Sequence, residues 1–424
     1  MVSNSSTNVL LSADGTPLKK SLNRSLRQQK MRALLLIAPL LIFILVAFIM
    51  PIVSMLSRSV ENELVGKTLP LTVQSIQSWD ALSGELPDES VYKAFAQDIQ
   101  NAAKAKVHTK VALRLNYEKS GIASLFKKTA RKAKKWDIET DGPFKEKLIK
   151  VHKGWGEVEV WQTIKTHSPA YTSGYFLNAV DMRKTAQGAD WQPEDKTILL
   201  KLFQRSLIMS LIITFSCIIL GYPVAWLLAN LPMRQANLLM ILVLLPFWTS
   251  LLVRTSAWKV MLQQQGVIND VLVQLSLISD EGRLIMINNE IGTIVAMTHI
   301  LLPFMILPMY SVMQTIPPSY LRAAKSLGAT NWTAFWRVYF PQSVPGIGAG
   351  SILVFILAIG YYITPEIVGG TKGVFISNRI AYHILKSLNW GLAAALGTIL
   401  LVAVLILYWT YDKIVGIDNV KLGG

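Results

Sequence analysis

Charged residues and cysteines are both scarce in this chain. Only 16% of its 424 residues are Asp, Glu, Lys or Arg, whereas 52% are hydrophobic. Soluble domains carry roughly 25% charged residues, so this balance indicates a chain that faces lipid rather than one large water-soluble core. The single cysteine, Cys217, excludes a disulfide within the chain and leaves too few thiolates for a cysteine-based metal site.

Nucleotide-binding and metal-binding motifs are also missing. The sequence has no Gly-x-x-x-x-Gly-Lys-Ser/Thr loop, the motif whose backbone amides cradle phosphates, so any ATP hydrolysis must take place on another chain. It has no His, Cys, Asp and Glu cluster at metal-ligand spacing. We therefore expect no catalytic residue, no bound metal and no cofactor on this chain.

The net charge of +16 is the one property that would suit a nucleic-acid-binding protein. Much of the positive charge, however, lies in short segments beside apolar runs, for example Lys19, Lys20, Arg24, Arg27, Lys30 and Arg32. A nucleic-acid-binding surface does not need long uncharged runs between its basic clusters. The positive-inside rule, in contrast, predicts basic residues on the cytoplasmic flanks of membrane helices. The pattern favours a membrane protein.

Six apolar segments are each close to the roughly 20 residues that a helix needs to cross a bilayer. They are residues 33–55, 207–231, 238 to beyond 253, 291–313, 346–364 and 392–411. A helix satisfies all of its own backbone hydrogen bonds, which lipid cannot do for it. The sequence therefore predicts an all-α integral membrane protein with six transmembrane helices and a large external insertion between the first and second helices.

The charged flanks predict one topology, in which both chain ends lie in the cytoplasm. The loops that carry Arg234, and Arg322, Lys325 and Arg337, fall on the same side. We expect a cytoplasmic tail (1–32), an uncleaved first transmembrane helix (33–56), an external insertion domain (57–200), a five-helix core (201–412) with a cytoplasmic loop (314–345), and a cytoplasmic C-terminal tail (413–424).

The insertion at residues 57–200 differs in composition from the rest of the chain. It is rich in charges of both signs and contains Trp136, Trp155, Trp161 and Trp191, which predict a folded core rather than a linker. Long loops cross the membrane largely regardless of charge, so its lysines do not alter the topology. Two interpretations remain open: a solvated accessory domain, or a domain that contacts a substrate-delivery protein.

The inner loop between the fourth and fifth segments has a regular pattern. Pro317 and Pro318 stop the preceding helix, and Gly328 is well placed to end a short helix after them. A second short helix is predicted at about residues 332–339, with Pro341 ending it. Two short amphipathic helices form a knob that would fit a groove on a cytoplasmic partner.

This stretch resembles the EAA loop of binding-protein-dependent ABC importers. That pattern has Glu-Ala-Ala, a glycine four positions after the second alanine, and a later Ile-x-Leu-Pro. The matching positions here are Ala323, Ala324, Gly328, Val338, Phe340 and Pro341. The resemblance implies an ATPase-coupling loop containing Tyr320, Arg322, Ala323, Ala324, Gly328 and Pro341. Arg322 stands where the pattern has glutamate, which reverses a charge at the docking face.

Residues 245–258, 266–269 and 358–370 are similar to the permeases of polyamine importers. The similarity covers the first helix and roughly residues 203–412, but not the insertion. It implies a substrate pathway for which our candidate residues are Trp248, Thr249, Arg254, Tyr361, Tyr362 and Glu366.

Glu366, at the outer end of the fifth segment, is the candidate contact for a cation. A carboxylate near membrane depth is costly unless it faces water, a partner or a substrate, and Tyr361 and Tyr362 would add cation–π contacts. Alternatively, Glu366 forms a structural brace with Arg254 or Arg379. For Arg254 itself the favoured interpretation is a snorkelling interfacial residue. His299, inside the fourth segment, is expected to make a helix-packing hydrogen bond rather than to carry protons.

The combined interpretation is an inner-membrane ABC importer permease that translocates a small cationic solute, such as putrescine or spermidine. The resemblance implies a cytoplasmic ATPase dimer that uses ATP, a second permease subunit and a periplasmic solute-binding protein as partners, with no nucleic acid. Alternatives are an importer permease for an amino-acid or opine-like solute, an ion-driven secondary transporter, and a membrane-anchored signalling protein.

Overall fold

Helices make up nearly all of the regular structure. The computed structural model describes residues 18–415, and side chains from residue 26 to residue 413. The predicted cytoplasmic tails are therefore described only in part. Residues 1–17 and 416–424, which include Lys421, lie outside the described residues, as do the side chains of Lys19, Lys20 and Arg24. The chain divides into two units, Met1–Ser57 and Arg58–Gly424.

The first unit is one long apolar helix. Helix α1 (Leu18–Ile44) continues through a π-helical turn (Leu45–Ile49) into α2 (Met50–Ser57). The stretch Leu26–Ser57 is long and apolar enough to cross a membrane.

The second unit begins with a largely helical insertion domain. Its eight helices are α3 (Glu63–Thr68), α4 (Pro70–Ser75), α5 (Glu89–Lys104), α6 (His108–Asn116), α7 (Ile122–Ala133), α8 (Phe144–Val151), α9 (Val158–Thr166) and α10 (Gly174–Ala179). An antiparallel hairpin of β1 (Met182–Thr185) and β2 (Gly188–Trp191) follows. Short 3₁₀ turns lie at Ile76–Ser78, Lys153–Gly156 and Glu194–Lys196.

Aromatic rings fill the core of the insertion domain. Trp155, Trp161, Phe95 and Phe126 are fully buried, and the rings of Phe95 and Trp155 have centroids 4.4 Å apart. Both indole N–H groups are satisfied: Trp155 donates to Thr129 Oγ1 over 2.8 Å, and Trp161 donates to the Trp155 carbonyl over 3.1 Å. The structure thus has the folded core that the tryptophans predict, although Trp191 is 62% exposed and contributes little to it.

The permease core contains the remaining helices of the described chain. They are α11 (Leu199–Asn230), α12 (Met233–Leu244), α13 (Leu251–Met261), α14 (Val267–Gln274), α15 (Glu290–Gln314), α16 (Pro318–Ser326), α17 (Asn331–Ala334), α18 (Phe340–Gly360), α19 (Ile363–Val368), α20 (Ile376–Leu385) and α21 (Trp390–Val415). Within residues 18–415, five helices are long and apolar enough to span a membrane, or six spans if one bent pair counts as one. The predicted all-α membrane fold is confirmed.

Glycines set the packing of the central helices. α15 packs against both α11 and α18. A Cβ at Gly350 would lie 2.7 Å from the sulfur of Met305, and one at Gly346 would lie 3.0 Å from Met309 Cα. Small residues allow membrane helices to approach closely, and this contact is made within the chain itself.

The third predicted span is not one continuous helix. After α12 a 3₁₀ turn (Leu245–Trp248) leads into α13, and the axis bends by 95°. Thr249 is extended, with φ −99° and ψ 145°. Ser250 then caps the new helix, because its Oγ accepts a hydrogen bond from the Val253 amide over 3.2 Å. Pro246 contributes by removing one helical N–H donor.

The predicted second loop helix also needs correction, because Pro341 does not end it. α17 continues through a π-helical turn (Phe335–Tyr339) directly into α18. Pro341 occupies the first turn of α18, where the missing N–H is tolerated after the wider π turn. Only α16 is therefore a separate short helix. At the other end, α18 stops at Gly360, before the residue-364 boundary of the predicted fifth span.

Candidate functional site

The inner loop presents apolar side chains on its surface. α16 begins after Pro317 and is followed by Gly328, whose φ of +87° is readily adopted only by glycine. Leu327 is 89% exposed and Trp332 is 71% exposed. Exposed large apolar groups on a loop are typical of an interaction site.

The charge of this loop has one sign. Residues 314–345 contain no Asp or Glu, while Arg322, Lys325 and Arg337 are all exposed. Among the described residues none of these three cations forms an ion pair.

The predicted coupling residues are brought together only in part. Tyr320, Arg322, Ala323 and Ala324 share α16, and Gly328 lies two residues beyond its end at Ser326. Pro341 belongs instead to the first turn of α18.

Aromatic contacts connect this loop region to the membrane helices. Phe335, in the π turn, lies 6.1 Å from the ring of Tyr222 on α11. The Tyr222 hydroxyl lies 3.0 Å from Ser343 Oγ on α18. These contacts join the loop region to both α11 and α18.

The bent span carries a second group of polar side chains. Thr255 on α13 and Thr364 on α19 are buried, with their hydroxyl oxygens 3.1 Å apart. Trp258 Nε1 donates to His299 Nδ1 on α15 over 3.0 Å. The helix-packing hydrogen bond predicted for His299 is confirmed. These two hydrogen bonds join α13 to both α15 and α19.

Glu366 is exposed on α19 and is held by an amide. Asn378 Nδ2, on α20, donates to Glu366 Oε2 over 2.7 Å and to the Tyr362 carbonyl over 2.9 Å. Ser377 Oγ donates to the Tyr361 carbonyl over 2.5 Å. In the described part of the chain Glu366 has no ion pair with Arg254 or Arg379, so the structure does not contain the brace considered above.

Arg254 is a half-buried cation without a counter-ion among residues 18–415. Its Nε is buried and has no hydrogen-bond partner. An unpaired charge in an apolar membrane segment is costly, so Arg254 stays a candidate residue.

The remaining candidates lie at the bend. Trp248 is 75% exposed, and Thr249 Oγ1 donates to the Pro246 carbonyl over 2.9 Å. Sequence reasoning missed Asn378 and Ser377, which bond to Glu366, Tyr362 and Tyr361. It also missed Thr255 and Thr364, which join the helices that carry Arg254 and Glu366. The available signal was a set of small polar residues inside or beside apolar helices.

Comparison with known proteins agrees with this architecture. Residues 198–415 match the family model described as the binding-protein-dependent transport system inner membrane component. The spermidine/putrescine transport system permease protein PotB of Haemophilus influenzae is 38% identical over 212 residues, which cover 49% of this chain and 73% of the relative. The PotB protein of Escherichia coli K12 is 36% identical over 212 residues, covering 49% and 76%.

Two further proteins are similar to this chain over about half of its length. The inner membrane ABC transporter permease protein YdcU of Escherichia coli K12 is 33% identical over 222 residues, covering 50% of this chain and 70% of the relative. A crystal structure of a bacterial ABC transporter that imports alginate is 18% identical, with a TM-score of 0.43, covering 54% of this chain and 81% of that chain. The family model leaves out residues 1–197, which include the insertion domain.

Proposed function

Because this chain belongs to the binding-protein-dependent transport system inner membrane component family and is the permease subunit of an ABC importer, we propose that it carries a polyamine-type cation across the inner membrane. The chain is a multi-pass membrane transporter subunit rather than an enzyme. The proposal concerns its solute, its partners and its orientation.

The solute class rests chiefly on Glu366. This carboxylate is exposed at the α18–α19 junction, is held by the neutral amide of Asn378, and is not neutralised by a cation of the described chain. An ammonium group of a polyamine supplies the missing positive charge, and the exposed Tyr362 ring beside it offers a cation–π surface. The relatives named as spermidine/putrescine permeases support the same class.

The partners follow from the two faces of the permease. A cytoplasmic ATPase dimer docks on α16 and the exposed side chains of Leu327 and Trp332. A second permease subunit completes the pathway, and a solute-binding protein delivers the cation from outside. Both chain ends and the 314–345 loop lie in the cytoplasm, where positive-inside statistics place Arg322, Lys325 and Arg337.

Transport then proceeds by alternating access. ATP binding closes the ATPase dimer and moves α16, and the aromatic contacts of Phe335 and Tyr222 pass this movement to α18 and α11. The two states differ in affinity for the solute, which is what allows ATP to drive net movement. The bend at Thr249–Ser250 and the break at Tyr361–Tyr362 are the natural hinge points.

A substitution at Glu366 tests the solute class. In proteoliposomes that contain the whole importer, Glu366→Gln should lower uptake of a dication such as putrescine by about tenfold, equivalent to roughly 1.4 kcal/mol. Glu290→Gln, which changes an exposed carboxylate at the start of α15, serves as the matched control. Equal putrescine uptake by the Glu366→Gln variant and the wild type would show that Glu366 is not a contact for the solute.

A further inference from the structure

We propose that a basic face on the insertion domain is the docking surface for the importer's solute-binding protein, and that the matching surface of that protein is acidic. The basic face consists of Lys127, Lys128, Arg131, Lys132, Lys134 and Lys135. The inference rests on the proposed function, which places the insertion domain outside the membrane beside the solute-binding protein.

One amphipathic helix builds most of this face. On α7 the buried side chains recur at helical spacing: Ile122, Leu125, Phe126, Thr129, Ala130 and Ala133. These side chains pack into the aromatic core that contains Trp155 and Phe95. The opposite side of the helix carries Lys127, Lys128, Arg131 and Lys132, and Lys134 and Lys135 follow the helix end; all six are exposed.

The six cations have no counter-ions. In the part of the chain that the structure describes, none of them forms a side-chain hydrogen bond or an ion pair, and the sequence has no Asp or Glu from residue 119 to residue 136. Some cations elsewhere on the domain are paired: Lys119 with Glu157 and Glu159, and Lys147 with Asp141.

This concentration of charge does not serve the stability of α7. Lys127 and Arg131, and Lys128 and Lys132, are like-charged pairs at i,i+4 spacing, which destabilise a helix by about 0.2–0.5 kcal/mol per pair. The helix dipole offsets this repulsion for Arg131 and Lys132, which lie in the last turn, but not for Lys127 and Lys128. The like-charged face thus has no partner within the described chain, and an acidic surface on another protein would supply one.

Several contacts attach the insertion domain to the permease core. Both Asp181 carboxylate oxygens accept from the first amides of α11, with distances of 3.2, 3.0 and 2.8 Å from the nitrogens of Ile198, Leu199 and Leu200. Tyr175 lies so close to Gly391 of α21 that a Cβ at position 391 would overlap its ring. The Tyr117 hydroxyl donates to the Ser387 carbonyl. The domain therefore holds the adjoining ends of two membrane helices.

The basic face is separate from this junction. α7 packs on α5, α6 and α8, all within the domain, and none of its residues belongs to the buried cluster that joins Tyr175 to Leu199 and Leu392. The basic face can therefore contact a partner protein while other residues of the same domain contact the permease core.

Charge selects the partner. The face repels a free polyamine, so it does not concentrate the solute itself. An acidic solute-binding protein, in contrast, is steered toward it, and such steering raises association rates by 10–10³-fold at low ionic strength. The positive charge of the basic face therefore favours the solute-binding protein, and not the free polyamine, as its partner.

The test measures how the reconstituted importer depends on its binding protein. The wild type is compared with a variant in which Lys127, Lys128, Arg131 and Lys132 are replaced by Gln. The control replaces Lys93, Lys104, Lys150 and Lys153 by Gln, four exposed lysines of the same domain that lie outside the basic face. The probe is the purified, solute-loaded binding protein of this importer, titrated at about 20 mM and about 300 mM salt to vary the Debye length.

We expect the basic-face variant to raise the half-saturating concentration of binding protein about tenfold at low salt, and hardly at all at high salt. The control variant should behave like the wild type, and transport at saturating binding protein should be unchanged. Glutamine keeps α7 helical, and an unchanged trypsin digestion pattern would show that the domain remains folded.

Two results would overturn the proposal. One is equal half-saturating concentrations for all three proteins. The other is that the basic-face variant alone no longer binds vesicles containing anionic lipid, while its dependence on the binding protein stays that of the wild type. If the wild type transports no polyamine at all, the proposed solute fails instead. Direct binding of the binding protein to the permease in nanodiscs still tests the docking surface in that case.

Discussion

The insertion domain and the permease core are folded by the same chain but stabilised in different ways. The domain buries Trp155, Trp161 and Phe95 behind a charged surface, as a protein in water does. The core leaves its large apolar side chains facing outward and joins its helices through close contacts at Gly346 and Gly350. Water drives burial in the first region, whereas in lipid the driving force is tight packing and satisfied polar groups. The comparison predicts that the insertion domain is most sensitive to the removal of a large side chain, and the permease core to the addition of one.

Removing a core ring from the insertion domain should have the largest effect. Trp155→Ala deletes a fully buried indole and its hydrogen bond to Thr129, which should cost the domain about 3–5 kcal/mol of unfolding free energy. Thermal unfolding followed by tryptophan fluorescence measures the loss. Trp191→Ala, at a 62% exposed position, is the control and should change little. A Trp155→Ala variant as stable as the wild type would contradict a water-type core.

Adding a side chain should be the more harmful change in the permease core. Gly350→Val places a Cβ 2.7 Å from the Met305 sulfur, so α15 and α18 must separate at a cost of about 1–3 kcal/mol. The fraction of protein that stays monodisperse in detergent during heating reports this cost. Gly360→Ala, with no atom within 4 Å of the new Cβ, should behave like the wild type. Similar results for both variants would show that α15 and α18 are not closely packed.

The insertion domain should also lose stability in acid, because of its buried histidine. Burial lowers the pKa of His167 from 6.5 to about 4, against the opposing charge of Glu118. The folded state thus keeps His167 neutral, while the unfolded chain takes up a proton below pH 6.5. Stability is complete above pH 6.5 and falls as the pH drops toward 4, by at most about 3 kcal/mol.

Unfolding midpoints between pH 7 and pH 4.5 test this effect. His167→Gln should flatten the pH dependence in that window, whereas His152→Gln, in the same domain, should leave it in place. The burial of Glu118 would by itself raise its pKa, but His167, Arg114 and Asn178 together lower it. Glu118 therefore adds a loss of stability of its own once the pH falls below the usual carboxyl pKa of 4.5. A wild-type midpoint that does not change over this range would contradict the account.

The junction between the two regions should show the smallest effect. Asp181→Asn weakens the charged cap on α11 and should cost about 1 kcal/mol, since an amide oxygen still accepts some of the three amide hydrogen bonds. Protease cleavage at the junction should become a few-fold faster. Asp190→Asn, at an exposed ion pair on β2, is the matched control. Faster cleavage in the control variant would place the weakness in the hairpin instead.

Sequence reasoning succeeded where one local pattern decides the structure. Apolar runs of sufficient length identified the membrane helices, Gly328 was expected to end the short loop helix, and the tryptophans indicated a folded insertion. It failed where two signals compete. Pro246 lies in a continuous apolar run, and the 95° bend is accompanied by the Ser250 cap and by the contact between Thr255 and Thr364. Pro341 was expected to end a helix, yet the helix continues through it because a π turn precedes it.

The candidate site was predictable in part for the same reason. Glu366 and Arg254 stand out because charges are rare in apolar segments. The contacts around them come from other helices. Asn378 on α20 bonds to Glu366 on α19, and Trp258 on α13 bonds to His299 on α15. Spacing within one segment carries no information about such contacts.

Energised uptake tests the central claim most directly. Proteoliposomes containing this permease with its partner permease, ATPase subunits and binding protein are loaded with ATP or with a non-hydrolysable analogue, and initial uptake of labelled putrescine is measured with and without a proton or sodium gradient. The account predicts uptake that requires hydrolysable ATP and binding protein and is indifferent to either ion gradient. Uptake that follows an ion gradient without ATP would contradict it.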